Sequence, residues 1–313
     1  MPRSDLLAEI RREGYTLRAI WRFIRVSLSR VWRGLPEHPE LVRPIAAIAL
    51  ALFVMQFVAA LLLSVHSGRS TGVTYLVSSS FMLLFISFWV LVHVGLLLGS
   101  REAQLVIRMP IPIAITMLRF VSIPAIVILI REQQWAAVVW LYGLSAFTDV
   151  LDGVVARALH VETRVGALLD PLTDVVFNST VFIALQESGI VPWWVTALVL
   201  VRYALLAGGT VYLYLFHGPV RISPTFFGKL TGFLTTVLLG ILLLGMSWWS
   251  EGTRLRLKGV FDVGLGVMGL ATIIQVVFIG LANRSVASGD EREEMPERPA
   301  KVVGEIRGPR NRR

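Results

Sequence analysis

The chain has 313 residues, of which 55% are hydrophobic and 16% are charged, and its formal net charge is +9. Soluble domains carry about 25% charged residues, so this composition excludes an ordinary soluble domain and indicates a polytopic membrane protein. The chain has no cysteine, which excludes disulfides and cysteine metal sites. The basic excess lies mostly outside the apolar stretches, and it favours anionic lipid rather than nucleic acid as a partner.

The first segment, residues 1–43, differs from the rest of the chain. Apolar residues recur at helical spacing over 15–32, while Arg18, Arg22 and Arg25 fall largely on the other side. A basic amphipathic helix of this kind can lie on an anionic leaflet. An ordinary solvated helix packed on a neighbouring loop is the alternative. We expect a cytoplasmic segment at the membrane surface.

Eight apolar stretches follow, each near the 20 or so residues that a helix needs to cross a bilayer. The fifth is interrupted by Asp170, Asp174 and Asn178. The sequence therefore predicts an all-α polytopic membrane protein with about eight spans. The stretches are 44–65, 74–98, 112–130, 135–156, 167–186, 191–216, 226–248 and 260–282.

The distribution of Lys and Arg predicts the orientation of these spans. The positive-inside rule places the N-terminal segment and the loops 99–111, 157–166 and 217–229 in the cytoplasm. One loop contradicts the rule, because TRLRLKG at 253–259 carries three positive charges on the predicted outside. We keep the assignment, with both termini in the cytoplasm. The polar tail, 285–313, has mixed charge and is predicted to be disordered.

Four aspartates lie within the apolar part of the chain: Asp149, Asp152, Asp170 and Asp174. A carboxylate at the bilayer centre costs about 2.5–3.5 kcal/mol even on the lenient scale, so four of them need a cation or a polar cavity. The spacings i, i+3 and i, i+4 place each pair on one helix face. Two facing pairs suit divalent cations with oxygen ligands, which can hold a phosphoryl group.

The position of the first pair predicts which end of the membrane the site occupies. Asp149 lies 14 residues after Trp135, which is roughly 21 Å along a helix. The site therefore falls towards the cytoplasmic end. A polar network that only packs helices is the alternative interpretation, and it is disfavoured because four acids without a counter-charge repel each other.

Small residues and an arginine follow the first aspartate pair. Gly153 and Ala156 would let a ligand or a second backbone approach closely. The guanidinium of Arg157 could reach a phosphate from the same helix. Taken alone, Arg157 is better interpreted as a snorkelling arginine at a helix end.

Together these residues carry a resemblance to a known family. Eight fixed positions match the signature of the CDP-alcohol phosphatidyltransferase family, and the resemblance covers roughly residues 105–284. The matching pattern is Asp149-x2-Asp152-Gly153-x2-Ala156-Arg157-x8-Gly166-x3-Asp170-x3-Asp174.

The resemblance implies a six-helix catalytic core preceded by two accessory transmembrane helices. It divides the chain into a basic amphipathic segment, an accessory pair of helices, a catalytic domain and a charged tail. These parts are 1–43, 44–100, 101–284 and 285–313.

The resemblance also implies residue roles. Asp149, Asp152 and Asp170 match ligands of two Mg²⁺ or Mn²⁺ ions. Asp174 matches a position close to the second ion and the general base. The implied reaction is attack of an alcohol on the lipid-side phosphorus of CDP-diacylglycerol, which releases CMP. The positions implied to bind the CDP-lipid are Gly153, Ala156, Arg157, Thr163 and Gly166.

The chain departs from the family's pattern at two positions. Members often show Pro-Asn-x-x-Thr-x-x-Arg on the first core span, and here Pro112, Thr116 and Arg119 fit while Ile113 replaces the Asn. Many members carry Lys directly after the last Asp, where this chain has Val175. Neither change removes a metal ligand, but both could alter donor contacts or acceptor choice.

The acceptor is predicted from cationic residues. Arg202 lies inside an apolar span, which makes it a functional candidate, although pairing with an aspartate or snorkelling is an alternative. A cationic pocket would suit a phosphorylated acceptor. Glycerol 3-phosphate is our expectation, while phosphatidylglycerol and inositol phosphate stay open. The candidate residues for this pocket are Arg119, Arg202, Arg221 and Lys229.

Two other classes of function stay open at this point. A cation transporter would use the same carboxylates, but it does not account for the spacing of Gly153, Ala156 and Arg157. A scaffold protein that keeps the fold without activity does not account for the intact ligand set. The partners implied by the resemblance are CDP-diacylglycerol, a small alcohol and membrane lipid, and a homodimer is left open.

Overall fold

A computed structural model of the chain describes residues 39–96, 111–158, 164–216 and 226–287, together with single positions between 16 and 32. The four long ranges are helical apart from short turns, and the described residues contain no strand. The predicted all-α membrane fold is confirmed.

Eight helices occupy the eight predicted apolar stretches. The largest difference is at the last helix, which begins at Glu251 rather than at about residue 260, because the basic segment before the apolar run is helical as well. The helices are α1 (Pro39–His66), α2 (Arg69–Leu96), α3 (Ile111–Arg131), α4 (Trp135–Ala158), α5 (Arg164–Glu187), α6 (Trp193–Phe216), α7 (Phe226–Trp248) and α8 (Glu251–Ala287).

Short turns join the helices at one end of the bundle. Gly68 has φ 99° between α1 and α2, and Gly189 has φ 74° between α5 and α6. Both angles lie in the left-handed region, where glycine carries no Cβ penalty. Gln133 adopts φ 57° between α3 and α4. The connections at the other end include residues 97–110, 159–163 and 217–225, which lie outside the described residues.

The six helices from α3 to α8 pack as a closed circuit of neighbours. Helix α3 packs on α4, α4 on α7, α7 on α8, α8 on α6, α6 on α5, and α5 on α3. The α1–α2 hairpin lies outside this circuit and attaches through α2, which packs on α3 and more lightly on α5. Helix α3 therefore has neighbours on most sides.

Helix α3 is the most enclosed of the candidate membrane spans. In its most apolar part 56% of the residues are buried, against 22% to 28% in the other candidates. Helices α4 and α5 both pack on α3 and share little direct contact with each other in the described residues. That the two helices present their carboxylate pairs to each other stays a prediction, because the side chain of Asp152 lies outside the described residues.

Within the described residues, five helices are long and apolar enough to cross a membrane: α1, α2, α3, α7 and α8. Helices α4 and α6 contain shorter apolar stretches, Trp135–Leu151 and Trp193–Gly209. Helix α5 meets neither criterion in the described residues, as expected for a helix that carries Asp170 and Asp174. The chain is a membrane protein, and the total of eight spans stays a prediction.

Candidate active site

One arginine joins the two helices that carry the aspartates. Arg119, at the middle of α3, is only 4% exposed. Its Nη1 donates a hydrogen bond to Oδ1 of Asp149 on α4, and its Nη2 lies 3.8 Å from Oδ1 of Asp174 on α5. Since a guanidinium presents several donors in a rigid fork, one side chain can engage two carboxylates at once.

The two carboxylates are far more accessible than the arginine behind them. The side chains of Asp149 and Asp174 are 46% and 49% exposed, against 3% for Arg119. The arginine thus forms the floor of the site, while a large part of each carboxylate stays open to a ligand. We infer that Arg119 fixes the relative positions of the two aspartates.

A second residue of α3 reaches the third aspartate. Thr116 lies one turn before Arg119, and its Oγ1 is 3.5 Å from Oδ1 of Asp170. The same hydroxyl donates to the carbonyl oxygen of Pro112 at 3.0 Å. Asp170 interacts electrostatically with Arg119, Asp149 and Asp174. One face of α3 therefore gathers three of the four predicted aspartates.

The fourth aspartate and the donor-binding positions are described only in part. Asp152 follows Asp149 by three residues on α4, so it shares the same helix face. Gly153, Ala156 and Arg157 continue along this helix. Their side-chain surroundings, that of Asp152 and the whole of Thr163 lie outside the described residues. Gly166, in the first turn of α5, is half-buried.

The donor set fits hard divalent cations. Four aspartates and one arginine give a formal charge of −3, and carboxylate oxygens are the ligands that Mg²⁺ and Mn²⁺ prefer. The described residues contain no group of three or more His, Cys, Asp or Glu placed to hold an ion. The side chain of Asp152 lies outside the described residues, so the ligand set stays a prediction.

Two residues that the sequence did not single out as functional connect Asp174 to α6. The amide Nδ2 of Asn178 donates to the carbonyl oxygen of Asp174 at 2.9 Å. The side chain of Tyr203, on α6, hydrogen-bonds with Asn178. Asn178 was visible as a polar residue in an apolar stretch, whereas Tyr203 carried no signal because tyrosine is common in membrane helices.

Arg202 is a residue of the predicted acceptor pocket whose surroundings the structure describes. This residue is half-buried on α6, and its Nε is buried without a hydrogen-bond partner among the described residues. A Cβ placed on Gly232 of α7 would lie 4.0 Å from its Nη2. The guanidinium therefore lies near α7, and it also lies 5.3 Å from the ring centroid of Tyr203.

The structure describes the surroundings of the other candidates for this pocket less completely. Lys229 lies in the first turn of α7, but its side-chain surroundings are outside the described residues, as is the whole of Arg221. Arg119 contacts aspartates rather than an open cavity. The grouping of Arg119, Arg202, Arg221 and Lys229 around one phosphate therefore stays a prediction.

Comparison with known proteins identifies the family. The model of the CDP-alcohol phosphatidyltransferase family matches residues 109–279, which is 171 of the 313 residues. This range contains every aspartate of the site and the whole circuit of helices apart from a few terminal residues. The chain belongs to the CDP-alcohol phosphatidyltransferase family.

Individual relatives include two mycobacterial proteins. The chain is 37% identical over 138 residues to a protein of Mycobacterium tuberculosis named "Putative cardiolipin synthase", covering 42% of this chain and 65% of that protein. It is 30% identical over 173 residues to the "Probable phosphatidylglycerophosphate synthase" of the same species, covering 53% and 76%. The chain thus spans just under two thirds of the length of the former and about three quarters of the latter.

A plant relative has a related name. It is the chloroplastic CDP-diacylglycerol–glycerol-3-phosphate 3-phosphatidyltransferase 1 of Oryza sativa, 34% identical over 114 residues, covering 36% of this chain and 33% of the relative. No solved structure matches the chain. Members of the family use divalent metal ions, and they act on CDP-alcohol donors and alcohol acceptors.

Proposed function

We propose that this protein transfers a phosphatidyl group from CDP-diacylglycerol to an alcohol in phospholipid biosynthesis, with release of CMP. The observation that carries the proposal is the cluster in which Arg119 engages Asp149 and Asp174 while Thr116 reaches Asp170. Family membership supports the class of reaction.

The proposed metal ligands are Asp149, Asp152 and Asp170, with Asp174 close to the second of two Mg²⁺ or Mn²⁺ ions. Bound cations would offset the charge of the diphosphate and of the departing CMP. Arg119 keeps the two helices in register because it binds a carboxylate on each. The α3 helix thereby prepares the ligand set before substrate arrives, which avoids reorganisation during the reaction.

Asp174 is proposed as the general base. Its carboxylate is half exposed and its backbone carbonyl accepts a hydrogen bond from Asn178. It would take the proton of the acceptor hydroxyl as that oxygen forms a bond to the lipid-side phosphorus. The bond between this phosphorus and the bridging oxygen breaks, and CMP leaves with that oxygen.

The CDP part of the donor is proposed to lie along the last turns of α4 and the start of α5. Glycine and alanine there would allow close approach of the nucleotide, and the arginine and threonine would contact phosphate or base. The proposed donor-binding residues are Gly153, Ala156, Arg157, Thr163 and Gly166.

Glycerol 3-phosphate is the proposed acceptor. Arg202 is a half-buried cation whose Nε has no partner in the described helices, and its guanidinium group is suited to a phosphate dianion. Arg221 and Lys229 would complete the pocket. Relatives named as a phosphatidylglycerophosphate synthase and as a glycerol-3-phosphate 3-phosphatidyltransferase support this acceptor. Phosphatidylglycerol is the second candidate, because a relative of higher identity is named for cardiolipin synthesis, and inositol phosphate is a third.

The site is proposed to open towards the cytoplasm, where CMP and soluble acceptors are found. The basic loops at that end support this orientation. The division of the chain into a surface segment, an accessory hairpin, a catalytic domain and a tail is part of the same proposal. A homodimer is one proposed assembly.

An acceptor panel tests the proposal. Purified protein in mixed micelles is supplied with CDP-diacylglycerol, Mg²⁺ and either glycerol 3-phosphate, phosphatidylglycerol, inositol phosphate or serine, and CMP release is followed. We expect the highest rate with glycerol 3-phosphate. A higher rate with another acceptor would reassign the acceptor, and no CMP with any of them would overturn the proposed function.

A further inference from the structure

A cavity lies at the end of the bundle opposite to the aspartates. Its volume is about 280 Å³, and it is formed by the turn after α5, the end of α7 and the first turns of α8. Ser188 lies on its wall, 18 residues after Asp170, which is roughly 27 Å along the helix. The cavity is therefore separate from the active site.

The charged groups of this cavity are Arg254, Lys258 and Glu251. Lys258 is already engaged, because its Nζ donates to the carbonyl oxygen of Ile190 at 2.6 Å and lies 3.5 Å from Oδ2 of Asp262. Glu251 is exposed at the rim. The remaining charged group of the lining is Arg254.

Arg254 has no such partner. Its Nε is buried and lacks a hydrogen bond among the described residues, and no ion pair joins it to Glu251 three positions earlier. A buried guanidinium nitrogen without an acceptor is costly, since its desolvation is not offset. Because Arg254 lines the cavity, an anion there would bind the accessible part of the same guanidinium group.

Most of the remaining lining is apolar or aromatic. Leu242 and Met246 of α7 contribute to the wall, and the ring of Trp249 lies 5.8 Å from that of Phe261. Trp248, which precedes Trp249 in the chain, is among the exposed aromatic residues. Tryptophan at a helix end is typical of the boundary between lipid and water. The cavity thus offers Arg254, a cation that has no ion-pair partner in the described residues, beside a surface suited to acyl chains.

We propose that this cavity binds the phosphate of an anionic phospholipid, with Arg254 as the anchoring residue and the acyl chains lying along α7 and α8. The volume is near the lower end of ligand pockets, which suits a headgroup rather than a whole lipid. The site gives a reason for basic residues in the 253–259 segment, which the charge distribution of the loops does not explain. It is independent of the proposed reaction.

A lipid-binding comparison of two arginine variants tests this site. The protein in dodecylmaltoside micelles is titrated with phosphatidic acid or phosphatidylcholine, and lipid retained per chain is counted by native mass spectrometry. Arg254→Gln is compared with Arg256→Gln, which removes the same charge from an exposed position two residues away. Arg254→Lys keeps the charge, and size-exclusion elution checks that each variant is folded.

We expect the wild type and Arg256→Gln to retain one phosphatidic acid in preference to phosphatidylcholine. Arg254→Gln should weaken that binding roughly tenfold or more, because it removes a charge-assisted hydrogen bond. Arg254→Lys should keep the preference. Equal weakening by both glutamine variants, no preference for the anionic lipid, or displacement of the lipid by millimolar inorganic phosphate would each overturn the proposal.

Discussion

At the scale of single residues, Arg119 determines how the aspartates are arranged. It is buried, it lies on the most enclosed helix, and it reaches carboxylates 30 and 55 positions further along the chain. A lysine has a single charged centre and cannot bridge two carboxylates in the same way. We therefore regard Arg119 as a positioning residue for Asp149 and Asp174.

Arg119→Gln is expected to reduce the rate of CMP release roughly 100-fold, because a displacement of about 1 Å in a catalytic group has that effect. Arg119→Lys should recover little of it. The control is Arg131→Gln on the same helix, which breaks an exposed ion pair with Glu187 and should have little effect. Steady-state rates of the three variants decide the matter, and equal rates for Arg119→Gln and Arg131→Gln would contradict the positioning role.

Arg202→Gln tests the acceptor pocket. Because the guanidinium would bind the acceptor phosphate, we expect KM for glycerol 3-phosphate to rise roughly tenfold or more while KM for CDP-diacylglycerol stays within about twofold. Arg256→Gln, on the exposed surface of α8, is the matched control. A parallel rise in both KM values would indicate a general structural defect instead of an acceptor contact.

At the scale of helices, the accessory hairpin is attached through close packing. A Cβ on Gly72 would collide with the side chain of Ser64 and the carbonyl oxygen of Ala60, so α2 approaches α1 closely at this point. Small residues at such a crossing are the usual basis of helix association in membranes. Further along, the ring of Phe85 on α2 stacks on Phe120 of α3 with centroids 5.9 Å apart.

Gly72→Val is expected to destabilise the protein by about 1–3 kcal/mol, because the added side chain forces the two helices apart. Gly143→Val is the matched control, since a Cβ at that position meets nothing within 4 Å. Thermal unfolding in the same detergent measures both. An equal loss of stability in the two variants would show that helix propensity, and not the α1–α2 contact, is responsible.

Much of the helical arrangement could be predicted because a long apolar stretch has few alternatives to a helix in a membrane. The start of α8 was missed because Arg254, Arg256 and Lys258 interrupt the apolar pattern without interrupting the helix. The packing of both α4 and α5 on α3 was not predicted either. Helices that follow each other in the chain need not be the closest neighbours in a bundle, and hydropathy carries no information on this point.

The candidate site, like the fold, could be predicted only in part from the sequence. The spacing of the aspartates within one helix indicates which side chains share a face, so the carboxylate pairs were predictable. The contact of Arg119 with both helices, and the link from Asp174 through Asn178 to Tyr203, join residues that lie far apart in the chain. Such contacts depend on helix packing and were not accessible from spacing.

At the scale of the whole molecule, the two ends of the bundle differ in character. The aspartates lie near one end, and the cavity with Arg254 lies near the other. Because the chain contains no cysteine, single introduced cysteines report which end faces which side. His160→Cys should react with a membrane-impermeant maleimide only from the cytoplasmic side, and Gly252→Cys only from outside. The reverse pattern would contradict the proposed orientation.

The central claim is that this carboxylate cluster catalyses transfer from CDP-diacylglycerol. The most direct measurement is CMP release with Mg²⁺ and glycerol 3-phosphate by the wild type, by Asp174→Asn and by Glu187→Gln. Glu187 is the matched control, an acid at the other end of the same helix. We predict that Asp174→Asn lowers the rate by about 10²–10⁴-fold, as expected for loss of a general base, and that Glu187→Gln stays close to the wild type. An unchanged rate for Asp174→Asn, or equal losses in both variants, would contradict the account.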